Sequence, residues 1–350
     1  MGVKAVVEAI HEPPQEGELD GLSLGIPWED EPRIRELAKL ASTPLTIVGY
    51  VFTDLDPLPE DRTKNLYKRH PQSFYLSSLE AIFAATLQKT SPVSSRSSET
   101  GYFGSRLVTA VLTGTEDGAI DISAYQVSEQ AVAMVDADMI EASVEPGIVR
   151  VKDEDRTQDA ARYVPDVFFR YKNEYGLEVK KTAKPSFPVE YLLVNVGSSF
   201  TSAITQIITR FNNPFFSQVT HGFPKHRAPL FRSTNFRIEN RPGLEDQSTE
   251  GVIKELAKLK APEVTSEKDG DHSKKRVLAE WISDWHLVTF LATTQLFSPE
   301  DTKTMIEVAS SSNLLDDLSI LDKLLHTDGW QTLMTFTKEM GCKWPRLRIA

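Results

Sequence analysis

The apolar positions of this chain change period several times, and each change predicts an element. Val3, Ala5 and Val7 keep to every second position, which predicts a strand over 3–10 that Pro13-Pro14 stops. Asp30-Glu31-Pro32 then opens a helix over 31–41, with Ile34, Leu37, Ala38 and Ala41 on one face. Leu45, Ile47, Val48, Tyr50, Val51 and Phe52 form a short β-branched and aromatic run, read as a buried strand over 45–52 that Pro57 and Pro59 end. Ser77-Ser78-Leu79-Glu80 is a capping box. The helix it starts carries Leu79, Ile82, Phe83 and Leu87 at helical spacing, a face expected to pack on the preceding strand.

Downstream, Thr90–Thr100 is rich in serine and predicts a mobile loop before a strand over 107–112. Glu116-Asp117-Gly118 supplies a hairpin turn into the alternating Ile120, Ile122 and Ala124. Pro146–Arg162 is charged and reads as loop. Val167–Phe169 and Val189–Val194 read as two strands joined across a hairpin near Tyr175-Gly176. Composition changes beyond Asn195, so a domain boundary is placed there, giving 1–195 and 196–350. Ala203–Phe211 is apolar and is broken by Asn212-Asn213-Pro214. Helical spacing then dominates: 249–260, a polar linker over 261–275, a strongly apolar helix over 277–296, a helix from Pro299, and a last one capped by Thr327 and stopped at Gly341.

Composition narrows the function classes. Acidic residues outnumber basic ones 50 to 39, a net charge of -11, which disfavours direct binding to nucleic-acid phosphates. No apolar run approaches the ~20 residues of a membrane helix, and the chain does not start with a basic-then-apolar leader, so cytosol or nucleus is expected. Cys342 is the single cysteine, which excludes an internal disulfide and a cysteine-based zinc finger.

The stretch from Gly49 to Glu80 resembles part of an MPN domain, the fold of JAMM metalloproteases that cut ubiquitin isopeptide bonds. Active members of that group have Gly-x-x-His-x-His-Pro and a later Ser-x-x-Asp, whose two histidines and aspartate hold zinc. Here Phe52 and Asp54 stand at the histidine positions, and Ser77-Ser78-Leu79-Glu80 puts Glu80 at the aspartate position. A phenyl ring donates nothing to a metal, and two carboxylates make a poor zinc site, so no catalytic residue, metal or cofactor is expected. Loop hydrogen bonding for Asp54 and capping for Glu80 are the favoured roles.

Longer blocks narrow the likeness. Gly49–Leu55, Ser73–Glu80, Gly104–Val111, Gly2–Ala5 with Glu12–Gln15, Tyr163–Phe168, Pro188–Leu192, Phe236–Arg241 and Ser283–Leu287 resemble the nuclear protein localisation protein four family in order and spacing. The resemblance implies an α+β fold: an MPN (JAMM-like) mixed sheet with flanking helices, amino-terminally incomplete and catalytically inactive, then a mostly helical carboxy-terminal domain. It also implies a non-enzymatic, ubiquitin-binding adaptor that pairs with the ubiquitin fusion degradation protein one subunit. Such adaptors deliver polyubiquitinated clients to the AAA unfoldase valosin-containing protein, including from the endoplasmic reticulum, and the family is linked to nuclear import and mRNA export. The expected locations are cytoplasm and nucleus, with peripheral association at the endoplasmic reticulum and nuclear envelope. Weak binding of this chain alone to the unfoldase is expected, because the family's ubiquitin-like domain and zinc fingers are not in it.

A metallo-isopeptidase rebuilt around Asp54 and Glu80, or a partner scaffold without ubiquitin affinity, are the alternatives. Phe215, Phe216, Phe223, Phe231 and Phe236 crowd a Pro- and Asn-rich stretch and form a candidate partner-contact surface, with ordinary packing at least as good an account. Trp281 and Trp285 read as core, His286 as structural, and His221 and His226 as a weak metal signal.

Overall fold

The computed structural model describes residues 11, 13, 15–17, 22–24, 31–42, 44–154, 163–196, 248–259, 267–311 and 318–339. The strand expected over 3–10, the segment 203–211, the five phenylalanines from Phe215 to Phe236, His221, His226 and Gly341 lie outside them, as does the side chain of His286. The fold class is α+β, with strands concentrated in the first half and helices in the second. The chain divides into two compact units, 48–208 and 1–47 with 209–350.

In order, the elements of the first unit are β3 (Gly49–Asp54), α2 (Ser78–Thr90), β4 (Pro92–Ser94), β5 (Tyr102–Ser105), β6 (Val108–Gly114), β7 (Ile120–Val127), α3 (Glu129–Asp136), β8 (Ile140–Ala142), β9 (Ile148–Val151), β10 (Phe168–Lys172), β11 (Glu178–Thr182), β12 (Ser186–Pro188) and β13 (Leu193–Asn195). The second unit holds β1 (Gln15–Gly17), β2 (Leu22–Leu24) and α1 (Glu31–Lys39) before them in the chain. After them come α4 (Thr249–Lys258), α5 (Glu267–Ile282), α6 (Trp285–Leu291), α7 (Pro299–Ser310), α8 (Ser319–Leu325) and α9 (Asp328–Glu339).

Among the described residues the main sheet has the order β13-β7-β6-β3, with β3 at one edge. β3 runs parallel to β6, from Gly49 opposite Val108 to Asp54 opposite Thr113, and the other pairs are antiparallel. A parallel pair needs a crossover, which the loop 55–77 and α2 provide. Gly49 is required by close approach: a Cβ there would sit 2.2 Å from the Val108 carbonyl oxygen. The Asp117-Gly118 turn takes the expected hairpin form, with Gly118 at φ +82.

Several expectations are corrected. The strand starts at Gly49 rather than at Leu45, because Leu45 donates its amide to Ala38 and packs with the helical core. α1 was expected inside a β-α-β arrangement of the first domain. Its Ile34, Leu37 and Ala38 instead join Val252, Leu256, Leu278 and Trp281 in the helical core, and Ser42 ties it to Ser310 on α7.

On α2 the buried face is Ala81, Ala84, Ala85 and Gln88, while Leu79 is 67% exposed. Ala81, Ala84 and Ala85 share a core with Val127 of β7 and with Ala131 and Met134 of α3, Ile82 packs against it partly buried, and Phe83 meets Tyr50 of β3 edge-on at 5.2 Å. The serine-rich stretch forms the hairpin β4–β5, and the charged stretch after Pro146 contains β9. The hairpin at Gly176 joins β10 to β11; Val189–Leu192 is a 3-10 turn leading to the edge strand β13.

In the second unit, α5 begins at Glu267, inside the expected linker, and the helix expected over 277–296 breaks at Ser283-Asp284. The Ser283 hydroxyl donates back to the Glu280 carbonyl, and the buried Asp284 carboxylate accepts the Leu287 amide, which starts α6 anew. Trp281, Trp285 and Trp330 are buried in one core, as expected for the first two; truncating one to alanine costs about 3–5 kcal/mol. Ser298 and Asp301 form the capping box that opens α7. Among the described residues no helix is long and apolar enough to cross a membrane.

Candidate functional site

Phe52, Asp54, Ser77 and Glu80 do converge in the first unit, around a residue that the sequence reading passed over. β3 alternates its side chains, so Tyr50, Phe52 and Asp54 share one face of the sheet, and the Tyr50 and Phe52 rings stack at 5.8 Å. α2 begins nearby because Ser77 is its N-cap. The Ser77 hydroxyl accepts the Glu80 amide at 3.2 Å, and Glu80 Oε2 accepts the Ser77 amide at 2.8 Å. That places the Glu80 carboxylate at the first turn of α2, across from Asp54.

Arg69, from the crossover loop, fills the space between them. Its side chain is 5% exposed. Nε donates to Asp54 Oδ2 at 2.8 Å, Nη2 to Glu80 Oε1 at 2.7 Å, and Nη1 to Glu80 Oε2 at 2.8 Å and to the Tyr75 carbonyl at 2.9 Å. The guanidinium lies 5.3 Å from the centre of the Phe52 ring and 5.2 Å from that of Phe74. Phe52, a metal-blind residue, is thus a cation–π partner. Lys68 Nζ reaches Asp54 Oδ1 at 3.1 Å and also pairs with Asp56.

The electrostatics follow from this placement. Burial pushes the Asp54 carboxyl up, but the charge and hydrogen bond of Arg69, joined by Lys68, outweigh it and hold Asp54 below the usual carboxylate range. Burial works against the charge of Arg69 too, and Glu80 and Asp54 overcome it, so the guanidinium is held above its ordinary value. The Tyr50 phenol is pushed up by burial.

These residues do not fit zinc. A catalytic zinc site needs three nitrogen, sulfur or oxygen ligands and an open position for water. Here one ligand position is a phenyl ring, and the two carboxylates already direct their lone pairs at a buried guanidinium. The favoured sequence roles were loop bonding for Asp54 and capping for Glu80. Both occur, and both residues also hold Arg69. One signal could have found it: two converging carboxylates need a cation, and the loop between them carries Arg62, Lys64, Lys68 and Arg69.

The NPL4 family model matches residues 1–217 and 213–338. The chain belongs to the NPL4 family. A protein of Debaryomyces hansenii named nuclear protein localization protein 4 is 38% identical over 340 residues, covering 97% of this chain and 51% of its own length. The Saccharomyces cerevisiae protein of that name is 37% identical over 345 residues, 97% of this chain and 53% of its own length. The Schizosaccharomyces pombe one is 39% identical over 259 residues, 74% of this chain and 40% of its own. This NPL4-family chain therefore spans about half the length of the curated relatives it matches. Their shared name refers to nuclear localization and to no enzymatic activity.

Proposed function

We propose that this NPL4-family chain is a non-catalytic ubiquitin-binding adaptor, a pseudoenzyme whose MPN-like cleft holds a chain it does not cut. The observation that carries the reading is Arg69, seated between Asp54 and Glu80 where a hydrolase needs an ion and its water. A guanidinium enclosed by two carboxylates and two rings has no open coordination position and activates no water. What is left is β3, at the edge of the sheet that the described residues form. β3 has one side of its backbone unpaired by any described strand, and six residues of extended edge suit a partner that adds itself by main-chain hydrogen bonds.

The partners of this adaptor are ubiquitin and polyubiquitin, the ubiquitin fusion degradation protein one subunit, and the AAA unfoldase that receives the clients for extraction and proteasomal degradation. The setting is cytoplasm and nucleus, including the cytoplasmic face of the endoplasmic reticulum. The links to nuclear import and mRNA export belong to the same proposal, and family membership supports them. Titrating isopeptide-linked ubiquitin chains into isotope-labelled protein tests the reading by NMR. Saturable shifts are expected, with β3 and α2 among the responding residues. An unresponsive spectrum from protein that still binds its adaptor partner would replace the reading with a scaffold that has no ubiquitin affinity.

A further inference from the structure

Among the described strands β10 and β11 pair only with each other, so each has one side of its backbone unpaired by any described strand. A two-stranded hairpin alone is marginal in water, and this one is rooted at its base, where Phe169 lies against Tyr191 at 4.8 Å and Phe187 at 6.4 Å. Its far end is fixed locally. Asn173 Oδ1 accepts the Tyr175 and Leu177 amides at 3.0 and 2.9 Å, and Gly176 turns the chain at φ +73. Strand alternation then sorts the side chains: Phe168, Arg170 and Lys172 share one face with Lys180 and Glu178 of β11, while Phe169 and Tyr171 lie on the other, their rings 6.1 Å apart. Register sets Arg170 directly opposite Lys180, a like-charge pair that disfavours the hairpin. Lys180 Nζ lies over the Phe168 ring at 3.9 Å, and Arg170 Nη1 reaches diagonally to Glu178 Oε1 at 3.4 Å. A single carboxylate thus faces Arg170, Lys172 and Lys180, in a chain whose net charge is -11.

We propose that the outer edge of β10 is a docking site for an extended segment of a partner protein in which acidic and apolar residues alternate. Added as a third strand, such a segment pairs with the free backbone of β10, sets its carboxylates beside Arg170 and Lys172, and lays its apolar residues along Phe169 and Tyr171. Both faces of the edge are open to it: the Arg170 side chain is 70% exposed and Tyr171 39%. The outer edge of β11 suits the same segment less, because Glu178, Lys180 and Lys181 put both signs on one face and a cation on the other. A second copy of the hairpin brings cation against cation and is turned away. A nucleic-acid strand can use the cations but not the backbone edge, and it meets the repulsion of the chain's net charge. A polypeptide uses the edge, the cations and the rings together.

The test is fluorescence anisotropy with the whole chain and a labelled peptide of about eight residues in which glutamate and valine alternate. Saturable binding is expected, weakening as ionic strength rises. A peptide of the same composition with its glutamates and valines in separate blocks should bind at least about tenfold more weakly, and so should one N-methylated at every amide, which keeps its charges and has no backbone donor. Arg170→Glu combined with Lys172→Glu should lower the affinity at least about tenfold. The same variant should melt within about 2 °C of wild type, since both side chains are on the surface. If it does not fold, the N-methylated peptide against wild-type protein decides. No saturable binding, binding that salt leaves unchanged, equal binding of the blocked or N-methylated peptide, or a double variant that binds as wild type does would overturn the proposal. So would a single-stranded oligouridylate that displaces the peptide at a lower concentration than unlabelled peptide does, which would give the face to nucleic acid. Ubiquitin takes no part in these measurements, so the adaptor reading and the hairpin docking site stand or fall separately.

Discussion

Replacing Glu80 by alanine removes two hydrogen bonds to Arg69, at 2.7 and 2.8 Å, and the carboxylate half of the α2 capping box. The guanidinium, 5% exposed, keeps Asp54 and the Tyr75 carbonyl. Stripping one partner from a buried ion pair costs about 3–5 kcal/mol. The Glu80 side chain is 25% exposed, and solvent screening draws the figure down. Lost capping adds back roughly 1 kcal/mol, for a total of about 2–4 kcal/mol.

Glu80→Gln keeps an acceptor oxygen of the same reach and loses the charge, so roughly 1–2 kcal/mol is expected. All five tryptophans lie outside residues 48–208, so none belongs to the unit that holds the clamp. Amide hydrogen exchange along α2 does view it. Where local opening governs exchange, the amides of α2 should exchange roughly thirty- to several-hundred-fold faster in Glu80→Ala, with Glu80→Gln between that variant and wild type. Unchanged α2 exchange in Glu80→Ala, or a glutamine variant as fast as the alanine one, would refute the clamp as a stabilising element.

Gln88→Leu removes both amide bonds to the Val127 backbone, at 3.0 and 2.8 Å, and orphans a buried N–H and a buried C=O. A loss of about 2–5 kcal/mol is expected by chemical denaturation followed by circular dichroism. On α2, Ala84→Leu overpacks the buried face and should cost about 1–3 kcal/mol, while Leu79→Ala should stay within about 0.5 kcal/mol; the opposite ranking in melting temperature would restore the larger-residue face as the packing face. Asp54 is held below its ordinary value in the folded chain, so folding releases protons near it. Its stabilising contribution is complete above the unfolded value, about 3.9, and fades as pH falls through the lower folded value. Asp54→Asn should therefore flatten the acid limb of a stability-against-pH curve, and an acid limb as steep as wild type would contradict this.

What was legible in the sequence was local. The Ser77–Glu80 capping box, the Asp117-Gly118 turn and the helix start at Pro299 each depend on residues within four positions of one another, and each forms as read. Phe52, Asp54, Ser77 and Glu80 also meet in space around Arg69. Hydropathy misled on α2 because the face that meets the core of α3 and β7 carries Ala81, Ala84 and Ala85, while Leu79 stays exposed.

Arg69 was not legible because its meaning is relational. A loop arginine looks solvated until a strand end and a helix start bring two carboxylates to it. Leu45 was misread for the same reason: an apolar residue next to a strand pattern fits the strand equally well, and only the tertiary core claims it for the helices. The break at Ser283-Asp284 had a signal in the sequence, two residues that bond their own backbone, but the apolar spacing on both sides outweighed it.

The most direct test of the central claim, that a guanidinium occupies the place where an isopeptidase holds its ion, is incubation of the chain with isopeptide-linked di-ubiquitin in excess zinc or manganese. The account predicts intact di-ubiquitin recovered in complex with the protein, with no single ubiquitin accumulating over time. Release of single ubiquitin by wild-type protein, abolished by Asp54→Asn or Glu80→Gln, would contradict it.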